Sequence, residues 1–220
     1  MVFALCKLRL IFEKKDKIRY LGHLDILRTF IRALRRAQVP VAYTQGFNPH
    51  AMLVFALPIG VGVTSECEIV DIQMLKQTPL LQTLKSINAC MPPNSVEVIS
   101  GEYTDRQMPT ITKAEYLIDI ISKDNIGKGL IENAMSQKEI LIDKKSKKKI
   151  TQINIMEHIF ESELLHLCDN TAKLRFVVSA GNVFNIKPQL LIEAVKKVEP
   201  GLEINYSLYH RKRFIFDDVE

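Results

Sequence analysis

At 220 residues, 47% hydrophobic and 25% charged, the chain has the composition of a soluble globular protein of one large or two small domains. No apolar run approaches the ~20 residues that span a bilayer, and Lys7 and Arg9 interrupt the apolar stretch near Met1, so the sequence predicts no membrane helix, no secretory leader and a cytoplasmic location. The net charge of +5 is uneven, with ten Lys/Arg against three Asp/Glu in residues 1–50, seven against eleven in 51–140 and thirteen against eleven in 141–220.

Residues 3–12, FALCKLRLIF, alternate and favour a strand. From Leu21 the period changes: Leu24, Leu27, Ile31 and Leu34 recur at three- and four-residue steps, the stripe of a helix that stops near Gln38, before Val39-Pro40. MLVFAL at 52–57 reads as a short buried strand, and ECEIVDIQML at 66–75 as another. Thr78-Pro79 starts a helix, with Thr78 as cap and an apolar face of Leu80, Leu81, Leu84 and Ile87; Pro92-Pro93 ends it, and a strand begins at Val96. The order over residues 1–103 is βαββαβ, a ferredoxin-like unit with an antiparallel sheet. After a linker at 104–112 the order returns in 113–220. Strands are expected at 115–121, 139–143, 150–155, 163–168, 173–180 and 204–216, and helices at 125–135 and 188–198, with KKSKKK at 144–149 as a solvated hairpin tip. The predicted class is therefore α+β: two tandem ferredoxin-like units, the second with an inserted hairpin.

Cys6, Cys67, Cys90 and Cys168 are scattered, with no CxxC and no Cys/His pair at zinc spacing, so buried free thiols are expected. Three closely spaced cysteines of a radical-SAM iron–sulfur cluster are missing, and spacing calls for no metal and no cofactor.

The first helix has a second face. Asp25, Arg28, Arg32 and Arg36 follow three- and four-residue steps, flanked by Arg35, and one aspartate does not neutralise four arginines. Guanidinium forks suit phosphate and carboxylate oxygens. Together with the basic N-terminal part, the row points to nucleic acid, a phosphate-bearing ligand or an acidic protein. YTQGFNPH at 43–50 follows that helix. Pro49 pushes Asn48 from helical dihedrals and Gly46 permits a positive φ, so the segment is a shaped loop. Tyr43, Gln45, Asn48 and His50 offer polar groups there and Phe47 a stacking face. His23, at the helix start, is the residue a nearby His50 needs for acid–base work with Asp25.

Residues 19–68 run YLGHLD, RALRRA, the Gly-Phe-Asn-Pro-His loop and a Ser-Glu strand start, in that order. This series resembles the radical-SAM-linked proteins of unknown function, which occur alone or as the C-terminal part of cobalamin-type radical-SAM proteins. NIKPQLL and YHRKR match more loosely; Ala51 stands for a usual proline and Val54 for a usual serine. The resemblance implies an accessory role beside a radical-SAM enzyme and implies no reaction. Three readings follow: a non-catalytic module presenting RNA, such as tRNA, to that enzyme; an adaptor docking on an acidic protein; and an enzyme using His23, Asp25 and His50.

Overall fold

The computed structural model describes residues 6–145, 150–181 and 183–216. Contacts divide the chain into two compact units, up to Thr110 and from Ile111.

The first unit comprises β1 (Cys6–Lys14), α1 (His23–Arg36), β2 (Leu53–Phe55), β3 (Val63–Met74), α2 (Leu80–Cys90) and β4 (Val96–Thr104). Its strands pair antiparallel in the order β4-β1-β3-β2. Alternation along β1 sorts its side chains: Leu8, Leu10 and Phe12 face inward opposite Ile72, Val70 and Glu68. Phe12 meets Phe30 of α1 with ring centroids 4.8 Å apart, and Phe55 of β2 joins both rings edge-on at 5.9 and 5.7 Å. Burying one such ring stabilises by about 2–3 kcal/mol, so this trio fixes α1 on β1 and β2. α2 is tied to β4 by Asn88, whose amide donates to the Val98 carbonyl and accepts from the Val98 N–H, both at 2.8 Å.

The second unit comprises β5 (Ile111–Ser122), α3 (Lys128–Ser136), β6 (Leu141–Lys145), β7 (Ile150–Asn154), β8 (Ile159–Cys168), β9 (Thr171–Ser179), α4 (Pro188–Val198) and β10 (Ile204–Phe216). Four strands pair antiparallel in the order β10-β5-β9-β8, while β6 and β7 form a separate hairpin. Tyr116, Ile118 and Ile120 of β5 face Phe176, Leu174 and Ala172 of β9 over the core that Leu191, Ala194 and Val195 of α4 complete. Gly181 follows β9 at φ 153°, and a Cβ there would lie 2.4 Å from the Ile111 carbonyl oxygen, so only glycine fits without a shift. Next to it the Ala180 N–H donates to the Thr112 carbonyl at 2.9 Å.

The chain is thus α+β with largely antiparallel sheet. Several details differ from expectation. Ile26, Phe30, Ala33 and Leu34 are the buried side of α1, while Leu24 is 61% exposed, because the aromatic trio draws Phe30 inward and rotates the stripe. α2 is capped by Pro79 rather than Thr78, whose hydroxyl lies 2.7 Å from that of Thr83 and 2.9 Å from that of Tyr103. Of the α2 apolar face, Leu81 is exposed and Thr83 lies buried beside Ile87. The cysteines are free, but Cys168 is exposed and the others only half-buried. In KKSKKK, Lys144 and Lys145 end β6, and 146–149 lie outside the described residues.

Candidate nucleic-acid interface

With Ile26, Phe30 and Ala33 inside, the helical repeat turns Asp25, Arg28, Arg32 and Arg35 outward along one stripe. Arg28 Nη1 donates to Asp25 Oδ1 at 3.2 Å, with both side chains about half-exposed or more, so the pair contributes little. Arg32 and Arg35 are exposed, and neither meets a carboxylate among the described residues. Arg36 leaves the row: its Nη2 donates to the Cys90 carbonyl, satisfying an otherwise orphaned group in the last turn of α2. The expected arginine row therefore keeps Arg28, Arg32 and Arg35 and loses Arg36 to helix packing.

The 43–50 loop is closed at its base. Tyr43 and Ala51 form an antiparallel bridge, the Thr44 N–H donates to the His50 carbonyl at 2.9 Å, and the His50 N–H donates to Thr44 Oγ1 at 2.9 Å. Below it, the Ala42 N–H donates to the Gln73 carbonyl at 2.7 Å and the Gln73 N–H to the Met52 carbonyl at 2.9 Å, which anchors the loop to β3. Gly46 takes the turn at φ 121°. Tyr43, Gln45, Asn48 and His50 are exposed, and Phe47 is exposed completely. A benzyl group in water at the tip of a tied loop buries nothing in the fold and is available to stack.

The two histidines are not brought together. The His23 ring packs edge-on against Phe55 at 4.9 Å. His50 sits at the closing end of the 43–50 loop, outside β2, with its backbone paired to Thr44. His23 turns its ring to Phe55, Asp25 pairs with Arg28 and His50 is held at the loop base, so among the described residues the three make no hydrogen bond, ion pair or ring contact with one another. Among the described residues no group of three His, Cys, Asp or Glu could hold a metal ion.

The sequence reading passed over Lys14 and Arg19, which shape the start of α1. Lys14 is 1% exposed, and its ammonium donates to the carbonyls of Arg19 at 2.8 Å, Leu21 at 3.0 Å and Gly60 at 3.2 Å. It draws the turn before α1 and the Gly60 loop to one point. Its signal was present, since Lys14 continues the inward series Leu8, Leu10, Phe12. Arg19 is buried and donates from Nε and Nη2 to Asp16 Oδ1 at 2.8 and 2.5 Å.

Residues 7–188 match the family described as an uncharacterized protein conserved in bacteria, DUF2344. The chain belongs to this family. The DUF2344 match covers the arginine stripe, the tied loop and the NIKP segment that leads into α4. A comparison with curated proteins finds no match. Among solved structures, this DUF2344 chain is similar to one in the crystal structure of a Cbf5-Nop10-Gar1 complex, with TM-score 0.52 and 12% identity over 95% of this chain and 50% of that one. It is also similar to one in the structure of an H/ACA RNP bound to a substrate RNA containing 2′-deoxyuridine, with TM-score 0.51 and 11% identity over 95% and 49%. It spans about half the length of these solved chains, and the likeness is one of fold. Among the described residues no helix is long and apolar enough to cross a membrane.

Proposed function

We propose that this protein binds RNA, tRNA among its candidates, through Arg28, Arg32, Arg35 and the tip of the 43–50 loop. The observation that carries the reading is the pair Arg32 and Arg35, two exposed guanidiniums on one helix face with no carboxylate partner among the described residues. Forks of this kind grip phosphate oxygens bidentately, and Phe47 adds a stacking face of the sort that single-stranded RNA uses. The first unit is read as a ferredoxin-like domain from its βαββαβ order and its 4-1-3-2 strand order, and the second as one with the β6-β7 hairpin inserted, its other strands in the order β10-β5-β9-β8. One structure of similar fold is that of an H/ACA RNP bound to a substrate RNA, which supports the ligand class by analogy of fold alone. The YLGHLD…GFNPH series supports a place beside a radical-SAM enzyme, to which the protein would present its RNA.

The test is binding of the purified chain to total tRNA over a salt series. Phosphate contacts release counterions, so affinity should fall steeply between low and moderate salt, and Arg32→Glu/Arg35→Glu should weaken it and flatten the slope. A flat salt dependence in the parent protein overturns the reading. If the same variant instead loses an acidic protein partner while keeping RNA affinity, the stripe is a protein-docking surface.

A further inference from the structure

Tyr20, in the turn before α1, is 68% exposed, and among the described residues its ring meets no other ring and its hydroxyl has no hydrogen-bond partner. Its backbone is nonetheless held on both sides. The carbonyls of Arg19 and Leu21, which flank it, accept from the buried Lys14 ammonium at 2.8 and 3.0 Å. The Arg19 carbonyl also accepts from the Gly62 N–H at 2.9 Å, and the Leu21 N–H donates to the Ile18 carbonyl at 2.9 Å. A buried ammonium is costly unless its donors are used, and two of these donors fix the peptides on either side of one exposed phenol. An aromatic side chain on a backbone fixed in this way loses little further freedom when a partner stacks on it.

Tyr20 and Phe47 stand at opposite ends of the arginine helix. The Tyr20 turn leads into α1 at His23 and is tied to Gly62, just before the start of β3. The 43–50 loop follows the far end of α1 and is tied to Gln73, near the end of β3. The fourteen residues of α1 lie between them, ~21 Å at the rise of an α-helix. Leu24, Arg28, Arg32 and Arg35, all exposed, follow one another along that length at three- and four-residue steps. Positive charge thus runs between two exposed rings. A single strand can lay its phosphates on the guanidiniums and its bases on the rings, whereas a duplex keeps its base faces stacked inside. At 3.4 Å per stacked nucleotide the length of α1 corresponds to about six nucleotides.

We propose that Tyr20 is a second base-stacking residue of the RNA site, and that the RNA bound there is an unpaired strand of about six nucleotides or more, running along α1 between Tyr20 and Phe47. This inference rests on the RNA reading above and narrows its ligand to a single strand of stated length.

The test titrates the full chain, by anisotropy, with oligoadenylates of about three to about twelve nucleotides. Affinity should climb with length and level off once about six nucleotides are present. Tyr20→Ala should weaken binding of the longer oligomers about tenfold with the melting temperature unchanged, and Tyr20→Phe should bind as the parent does. In Tyr20→Ala/Phe47→Ala the two losses should multiply, as those of separate contacts do. The same strand paired to its complement should bind Tyr20→Ala and the parent equally. Salt-sensitive oligomer binding that is equal in the parent and Tyr20→Ala at every length overturns the inference and leaves the RNA reading standing. Tyr20→Phe losing as much as Tyr20→Ala overturns stacking as the contact, and an equal loss with the paired strand overturns the unpaired ligand. A parent chain with no affinity for any RNA overturns the RNA reading and this inference together.

Discussion

Arg9 grips Asp71 across β1 and β3 with two parallel hydrogen bonds, Nε to Oδ1 at 2.8 Å and Nη2 to Oδ2 at 2.9 Å. Both side chains are almost wholly buried, and the hydrogen bond to Asp71 raises the Arg9 pKa further. The same guanidinium donates to the Gln107 carbonyl at 2.9 Å, and Lys7 Nζ donates to the Arg106 carbonyl at 2.7 Å. The pair therefore holds the sheet and also the stretch that follows β4. Asp71→Ala leaves a buried guanidinium uncompensated and should cost about 3 kcal/mol, read by urea denaturation. Limited proteolysis should show earlier cleavage near Arg106, and cleavage at the parent rate would refute the tie.

Lys14 should be irreplaceable by a residue of equal length. Lys14→Met keeps the volume but strips three carbonyls, one buried and two part-buried, of their donor, for a loss of about 3 kcal/mol in thermal or chemical denaturation. RNA affinity of the variant that remains folded should also fall, because the turn before α1 loosens.

The arginines should separate by role. Arg36→Gln should lower stability by about 1 kcal/mol, through the lost contact to Cys90, and leave RNA affinity near that of the parent. Arg32→Glu/Arg35→Glu should do the reverse. Equal losses of affinity from both would mean that Arg36 also touches the ligand.

Phe47 should matter only for binding. Its ring is wholly exposed, so Phe47→Ala should leave the melting temperature unchanged and cost about 1–3 kcal/mol in affinity for single-stranded RNA per base stacked. An unchanged affinity in anisotropy titrations would remove the loop tip from the interface.

Glu115 makes acid stability predictable. Burial alone would push its pKa up, yet hydrogen bonds from Arg175 at 3.0 Å and Arg213 at 2.7 Å hold it below the usual 4.5. In the folded state it binds fewer protons than in the unfolded state, so its contribution is full above pH 4.5 and is lost as pH falls through the lower folded value. Glu115→Gln should destabilise at neutral pH by about 2 kcal/mol and show a shallower loss of stability in acid. An identical acid slope in parent and variant, measured by urea denaturation at several pH values, would show that other carboxylates carry it.

The sequence was most readable where punctuation is strong. Pro188 and Pro200-Gly201 bracket α4, which runs from Pro188 to Val198 as the apolar period indicates. It was least readable where two apolar sets compete on one helix. Leu24, Leu27 and Ile31 repeat as regularly as Ile26, Phe30 and Ala33, and only the contact of Phe30 with Phe12 and Phe55 decides between them. Pairing of distant strands is equally silent in local pattern. The packing of His23 on Phe55 follows from where β2 meets α1, and the withdrawal of Arg36 follows from where α2 ends. The shape of the 43–50 loop was legible because Gly46 and Pro49 constrain dihedrals locally.

The bare backbone of Gly181 against Ile111 sets a practical limit on how the protein can be cut. A fragment beginning at residue 113, where the sequence pattern puts the second domain, would lack the carbonyls of Ile111 and Thr112 that seat Gly181 and Ala180. These contacts lie shortly before Pro188, the first residue of α4. A cloning boundary at Ile111 or earlier keeps both of them.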